Sequence, residues 1–440
     1  MCCVRFLPSK NSVTGGLRIE LVIIIGGLIA SAHASMMIVI PVMPRFMELI
    51  GGGAYVFGLT FTLYALGRFI TNIPAGALSE IIGRKWVVTV GAMGVAVFAF
   101  LSGIPEDVPL FLLFRFLSGV FSSMTIVVGN IIAADLSTVE NRGRVLGLMQ
   151  GMQLMVGTGS PALGGFIGEL VGTRFPFYIS GIAVLIFAIW AMLRLPETKS
   201  NVQSNPSNLN FQQIRSAFST NQISKFLSKN FFTDARYLLR DPSFMVVCIL
   251  GFSTFFLRGG MATTLIPMYA DGILNMGPGA IGILFTFSSF LHGILIYPAG
   301  AIADKWGRKI IIVPAGLVVG VSIFGLPFSE SVAIFVFAFI LLHVGQGWGS
   351  QAPVAYVADL APDSKRGVGI GLFRTFGDFA GIIGPTVSTG ILTSISFTAA
   401  FGFNAILWTV SIIAFAFIAI ETAGKNRKRG PIDEPEASKK

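Results

Sequence analysis

The chain has 440 residues, of which 53% are hydrophobic and only 12% charged, with 40 Phe and 52 Gly. A soluble domain carries about 25% charged residues, so a soluble globular protein is excluded. The net charge of +10 would fit a nucleic-acid binder, but the charges fall in short bursts between apolar runs of about 20 residues or more, the length that crosses a bilayer.

The runs lie near 19–46, 54–79, 86–104, 108–134, 144–172 and 175–195, then near 243–271, 279–303, 310–328, 331–360, 367–394 and 397–420. They predict an all-α membrane protein with twelve transmembrane helices in two pseudo-symmetric six-helix bundles. Residues 1–18 are read as a cytoplasmic N-terminus and 19–195 as the first bundle. A cytoplasmic linker covers 196–241, the second bundle 242–420, and a disordered tail 421–440. With both termini and the even-numbered loops on one side, that side holds about 25 of the 31 Lys and Arg, and the other only Arg45 and Arg174. Basic loops stay inside, so both termini are expected in the cytoplasm. The basic charge then reflects topology and the anionic inner leaflet, not nucleic acid.

In the first run, Pro41 and Pro44 loosen the outer helix end, and His33 is the only ionisable group near its middle. In the linker, Ile223, Phe226, Leu227 and Phe231 share a helical face beside Lys225 and Lys229. This suits either an amphipathic helix on the inner leaflet or a short helix packed under the bundle. Asp241-Pro242 reads as an N-cap followed by proline at the first helical position. The three cysteines, Cys2, Cys3 and Cys248, imply no disulfide framework.

A repeat organises the whole. GALSEIIGRK at 76–85 returns as GAIADKWGRK at 300–309, a shift of 224 residues. The same shift carries Glu80 to Asp304, Gly83 to Gly307, Asp135 to Asp359, Gly157 to Gly381 and Pro161 to Pro385. A duplicated membrane unit is a mark of secondary transporters. The three histidines lie on separate runs, without HExxH, a Walker-type loop or a nucleophile elbow. An enzyme, a metal site and a cofactor are therefore not expected.

On these residues the chain resembles the major facilitator superfamily, and within it the twelve-helix drug:proton antiporters. The two GRK loops match the superfamily's loop motif after the second and eighth helices. Phe114 to Gly119 resembles the fourth-helix motif built on a buried Arg, here Arg115. Gly157, Gly159, Pro161, Gly164 and Gly165 resemble the fifth-helix antiporter motif, which the family uses to support exchange and limit leak. The resemblance implies that the loops of Gly76, Glu80, Gly83, Arg84 and Lys85, and of Gly300, Asp304, Gly307, Arg308 and Lys309, latch the halves on the cytoplasmic side. Glu80 stands where the family usually has Asp. Physically, Gly76 and Gly300 would let helices approach, Gly83 and Gly307 permit a tight turn, and the carboxylates of Glu80 and Asp304 face a neighbouring helix N-terminus.

The candidate substrate and proton pathway is built from polar residues inside apolar runs, where an ionisable group is costly unless it faces a cavity or a partner. These are His33, Arg68, Arg115, Gln150, Gln153, Arg258, His292, His343, Gln346, Arg374 and Asp378. Arg68 and His292 are equivalent under the repeat. Arg374 and Asp378 are four residues apart, so they can pair on one helix face. The expected function is secondary active transport: proton-coupled antiport exporting a small amphiphilic compound by alternating access, from the plasma membrane, as a monomer. One alternative is a symporter or facilitator for a metabolite or organic anion, motivated by the surplus of midplane arginines. The other is a non-transporting receptor or scaffold on the same shell.

Overall fold

The computed structural model describes residues 13–137, 141–198, 229–349, 351–427, 430 and 432. Among them every regular element is helical. The first half contains α1 (Val13–Met37), α2 (Ala54–Ile82), α3 (Arg84–Leu101), α4 (Val108–Leu136), α5 (Arg142–Leu170) and α6 (Phe175–Arg194). The second contains α7 (Pro242–Leu257), α8 (Pro278–Trp306), α9 (Lys309–Gly325), α10 (Val332–Gly349), α11 (Arg366–Ser394) and α12 (Phe397–Ile418). Three of these helices are extended. α1 continues through a 3-10 turn, Ile40–Val42, into Met43–Leu49; α7 continues through a π-helical turn, Arg258–Leu265, into Ile266–Gly272; and Ala352–Leu360 follows α10.

Ten helices among the described residues are long and apolar enough to cross a membrane. α5 and α11 are absent from that set, although each has 29 residues. Their lower hydropathy comes from residues such as Gln150, Gln153, Arg374 and Asp378, all of them candidate site residues. Apolar side chains such as Leu193, Phe337 and Phe417 cover the outside, with Phe417 86% exposed. Such a surface belongs against lipid tails.

The repeat is visible in the helix ends. α2 and α8 begin and end 224 residues apart, and so do α5 and α11. The caps repeat as well: Asp107 accepts a hydrogen bond from the Leu110 N–H at the start of α4, and Ser331 accepts one from Ile334 at the start of α10. Asp241 caps α7 by accepting from Phe244 at 3.0 Å, with Pro242 in the first turn, as its sequence predicts.

The break after α1 lies where Pro41 and Pro44 fall. It carries Ile38 against α5, where a side chain at Gly164 would collide with the Ile38 carbonyl. The helix Lys229–Leu239 packs beneath the second half: Leu238 is fully buried, and Lys365 lies 3.8 Å from Asp234 and over the Tyr237 ring. Ile223, Lys225, Phe226 and Leu227 lie outside the described residues, as do the side chains of Lys229 and Phe231.

The described part of the stretch expected as a disordered tail, residues 421–427, 430 and 432, makes defined contacts. Thr422 donates to Asp359, Asn426 donates to the Trp306 carbonyl at 2.9 Å, and Lys425 sits over the Trp306 ring. The Ile432 N–H reaches the Leu360 carbonyl, also at 2.9 Å, and its side chain is buried. Composition reads a Lys- and Pro-rich stretch as solvated, but these few contacts anchor it.

The halves meet chiefly through two antiparallel helix pairs, α2 with α11 and α5 with α8. Hydrogen bonds and close glycine contacts mark the line of contact. Thr62 donates to the Ile382 carbonyl at 2.6 Å, and the Thr286 hydroxyl accepts from the Ala162 N–H at 3.1 Å. Cβ atoms at Gly58 and Gly165 would strike the backbones of Pro385 and Pro278 across the seam.

Candidate functional site

The two GRK loops are built alike. α2 ends at Gly83 (φ 107°, ψ 150°) and α8 at Gly307 (φ 126°, ψ 156°), a backbone region held almost only by glycine. Arg84 forms ion pairs with Asp135 and, at 3.1 Å, with Glu80; Arg308 forms them with Asp359, at 3.1 Å, and with Asp304. Thr198 and Thr422 donate to Asp135 and Asp359. Burial alone would lower the pKa of Arg308, but its hydrogen bonds to Asp359 and Asp304 more than reverse this and raise it.

Two expectations for these loops differ from the structure, and a third is extended. The carboxylates facing the N-termini of α3 and α9 are not those of Glu80 and Asp304. Glu197 accepts from the Arg84 and Lys85 N–H groups at 2.9 and 3.1 Å, and Glu421 from those of Arg308 and Lys309 at 2.7 and 2.9 Å. Glycine at 83 and 307 does more than make a turn, since a Cβ at either would collide with the capping carboxylate. Gly76 and Gly300 meet no atom within 4 Å at the missing Cβ, so neither lies at a close helix contact in this conformation. Glu197 and Glu421 were hidden because they follow the last helix of each half, in stretches read as linker and tail. The 224-residue shift relates them to each other and would have found them.

Halfway along the helices lies a polar ring. Arg258 opens the π-helical turn of α7 and is exposed; mid-helix exposure of a guanidinium means an open cavity and not lipid. Its charge acts on His33 of α1, Arg68 of α2, His292 of α8 and His343 of α10. Gln150, Arg374 and Asp378 are exposed, and Gln153 and Gln346 half-buried. His33 faces Gly157 of α5, whose missing Cβ would lie 3.2 Å from the imidazole ring.

Other candidates fall differently. Among the described residues no ion pair joins Arg374 to Asp378; the strongest charge acting on Asp378 is that of Arg68, from the other half, ahead of Arg374. Helical spacing allows the pair but does not compel it when both side chains reach into open space. His343 is buried, its Nδ1 3.1 Å from the Phe339 carbonyl and its ring against Phe339. Arg115 is 3% exposed inside the first half, donating from Nε to Ser102 at 3.1 Å and lying over the Phe111 and Phe177 rings. It touches α3, α4 and α6 and takes no part in the ring. Gly159 meets no neighbour, whereas Gly164 and Gly165 are close-packed.

The opposite end from the GRK loops is sealed. Arg45 pairs with Asp271 at 2.8 Å, and Glu169 accepts from the Gly279 N–H at 2.8 Å, both across the halves. Neither contact was foreseen, because Arg45 and Asp271 are 226 residues apart. Toward the GRK end, Gly147, Gly151, Gly367 and Gly371 face open space. The halves are thus joined at the end opposite the GRK loops, with the cationic side chains midway along the helices.

A family model described as Major Facilitator Superfamily matches residues 25–277 and 247–440. The chain is 25% identical to an uncharacterized MFS-type transporter of Methanocaldococcus jannaschii, covering 81% of this chain and 86% of that protein. It is 23% identical to multidrug resistance protein 1 of Bacillus subtilis, covering 85% and 90%. Among solved structures, a POT family transporter in complex with 5-aminolevulinic acid superimposes with a TM-score of 0.73 at 13% identity, covering 94% of this chain and 97% of that one.

Proposed function

Given that this chain belongs to the Major Facilitator Superfamily, and so is an integral membrane secondary transporter and not an enzyme, we propose that it exports a small amphiphilic compound in exchange for protons. The observation that carries this reading is an asymmetry: the hydrogen bonds and the ion pair that join the halves lie on the side of the polar ring away from the GRK loops. A ring midway along the helices, between two repeats that meet at one end, suits alternating access by rocking of the halves. With the basic loops in the cytoplasm, the open end faces inward, where an exporter loads. With α5 and α11 also crossing, the spans number twelve, and both termini lie inside.

Proton exchange has candidates in the ring. The charge of Arg68 acts on Asp378 across the halves, and His33 lies against the antiporter-motif helix at Gly157. Moving a proton on either changes the charge balance between the halves, which is how protonation can bias the rocking. In each half the half-buried loop Arg and the carboxylate capping the next helix hold the cytoplasmic ends of the helices together, so that each half moves as one body.

The test is counterflow in proteoliposomes with an imposed pH gradient and a panel of amphiphiles. Proton movement opposite to substrate supports the proposal. Movement in the same direction selects a symporter, and the absence of any solute exchange selects a scaffold.

A further inference from the structure

The ring carries an unbalanced charge, whose meaning rests on the reading of this chain as a transporter. Arg68, Arg258 and Arg374 contribute three guanidinium groups and Asp378 one carboxylate. Guanidinium groups do not escape burial by losing a proton, whereas histidines can. Thr62 is fixed to the Ile382 carbonyl of the antiparallel α11. Arg68 lies six residues further toward the open end, about 9 Å, and Asp378 and Arg374 lie about 6 and 12 Å from Ile382 in the same direction. Gly259, next to Arg258, abuts Pro385 and the Gly381 carbonyl on that helix. Arg258 therefore lies near the level of Ile382 and Arg68 about 9 Å nearer the open end, on opposite halves and close enough for their charges to act on each other.

Their donors are not used up by the protein. The Nε of Arg68 is buried without a hydrogen-bond partner, and a buried unpaired donor is costly. Arg258 stands at the start of a π-helical turn, a distortion frequent at functional sites. Asp378 cannot neutralise both, since Arg374 on its own helix also acts on it.

We infer that the missing counter-charge is the substrate: the site takes an organic anion whose carboxylate or sulfonate group bridges Arg68 and Arg258. The bridge gives the substrate a mechanical role. Without it, two like charges on opposite halves resist closure of the cavity; with it, the same groups draw the halves together. A ligand that interacts differently with the open and closed states shifts the balance between them. A cationic amphiphile would add to the repulsion and is disfavoured.

The experiment uses one aromatic body with three head groups: 2-naphthoate, 2-naphthamide and (2-naphthylmethyl)trimethylammonium, bound at equilibrium to the purified full-length protein. Naphthoate should bind at least tenfold tighter than the amide, and the ammonium weaker still. Arg68→Gln and Arg258→Gln should each weaken naphthoate at least tenfold and leave the amide unchanged, while Arg258→Lys keeps the preference for the anion. Equal or tighter binding of the amide or the ammonium, no binding of naphthoate by the wild type, or a preference untouched in both Gln variants overturns the inference. Proton-linked exchange of the best-bound member in vesicles is scored separately. A cation exchanged against protons would sink the anion site and leave the transport reading standing; a bound anion that is never exchanged would do the reverse.

Discussion

Glu421 holds the backbone N–H of Arg308 at 2.7 Å, and it can do so because Gly307, the residue before, has no side chain in the way. The Arg308 guanidinium turns instead to Asp359 and Asp304. One residue thus ties three helix ends together: its amide receives a carboxylate from the end of α12, and its side chain reaches α8 and the segment after α10. Glu197, Arg84 and Asp135 repeat the arrangement in the first half.

Removing the cap should loosen that end. Glu421→Ala strips two charge-assisted bonds from the start of α9, with an expected cost of about 1–2 kcal/mol. Gly307→Ala should cost at least as much, because it combines a backbone region closed to alanine, worth about 1–3 kcal/mol, with a collision against Glu421. Thermal unfolding of the purified protein checks both, and melting curves that overlay the wild type would show the cap to be dispensable.

Gly300 separates stability from transport. Its missing Cβ faces open space inside α8, so Gly300→Ala should not destabilise this conformation and gains up to about 1 kcal/mol of helix propensity. If the GRK end closes on the opposite stroke and brings helices together there, the same variant should slow exchange several-fold while melting at or above the wild-type temperature. Unchanged exchange rates would show that Gly300 never enters a close contact.

Much of the architecture is legible in the chain because the bilayer demands it: run length gives the spans, and a shift of 224 residues gives the two halves. The polar ring is partly legible, since charged residues in apolar runs must be accommodated. Which face of a helix they use is not, when every face is apolar. Arg115 and Arg258 look alike in sequence, yet one packs against Phe111 and Phe177 and the other faces the cavity. The pairing of Arg374 with Asp378 follows from spacing, but the charge acting most strongly on Asp378 is on another helix. The seal between Arg45 and Asp271 depends on how the halves dock, a relationship that no local pattern contains.

Arg115 invites a test that distinguishes bracing from coupling. Its charge is buried; among the described residues its hydrogen bond goes to Ser102, and its Nη2 has no partner. Arg115→Ala should abolish proton-coupled transport while the protein remains in the membrane. The net loss of stability should stay within about 2 kcal/mol, because the lost ring contacts are offset by no longer burying a charge. Arg115→Lys should not rescue, since an ammonium cannot stack its plane over Phe177. Wild-type exchange by Arg115→Ala would reduce the residue to packing.

The outer seal should set the balance between the two faces. Arg45 is 43% exposed in its pair with Asp271, so the contact is worth about 0.2–1 kcal/mol. Asp271→Asn should therefore move the equilibrium between open-in and open-out forms by at most about fivefold. Gly165→Leu should act far more strongly, because its side chain would be driven into the Pro278 backbone where α5 crosses α8. A single cysteine placed at Gly371, with the three native cysteines changed to serine, reports opening at the GRK end through its rate of thiol labelling. Labelling should slow modestly in Asp271→Asn and markedly in Gly165→Leu, and exchanging the charges as Arg45→Asp with Asp271→Arg should restore the original rate. Rates that stay fixed in Gly165→Leu would mean that the contacts around Gly165 do not hold the outer end shut, and the rocking of the halves would have to be governed from elsewhere.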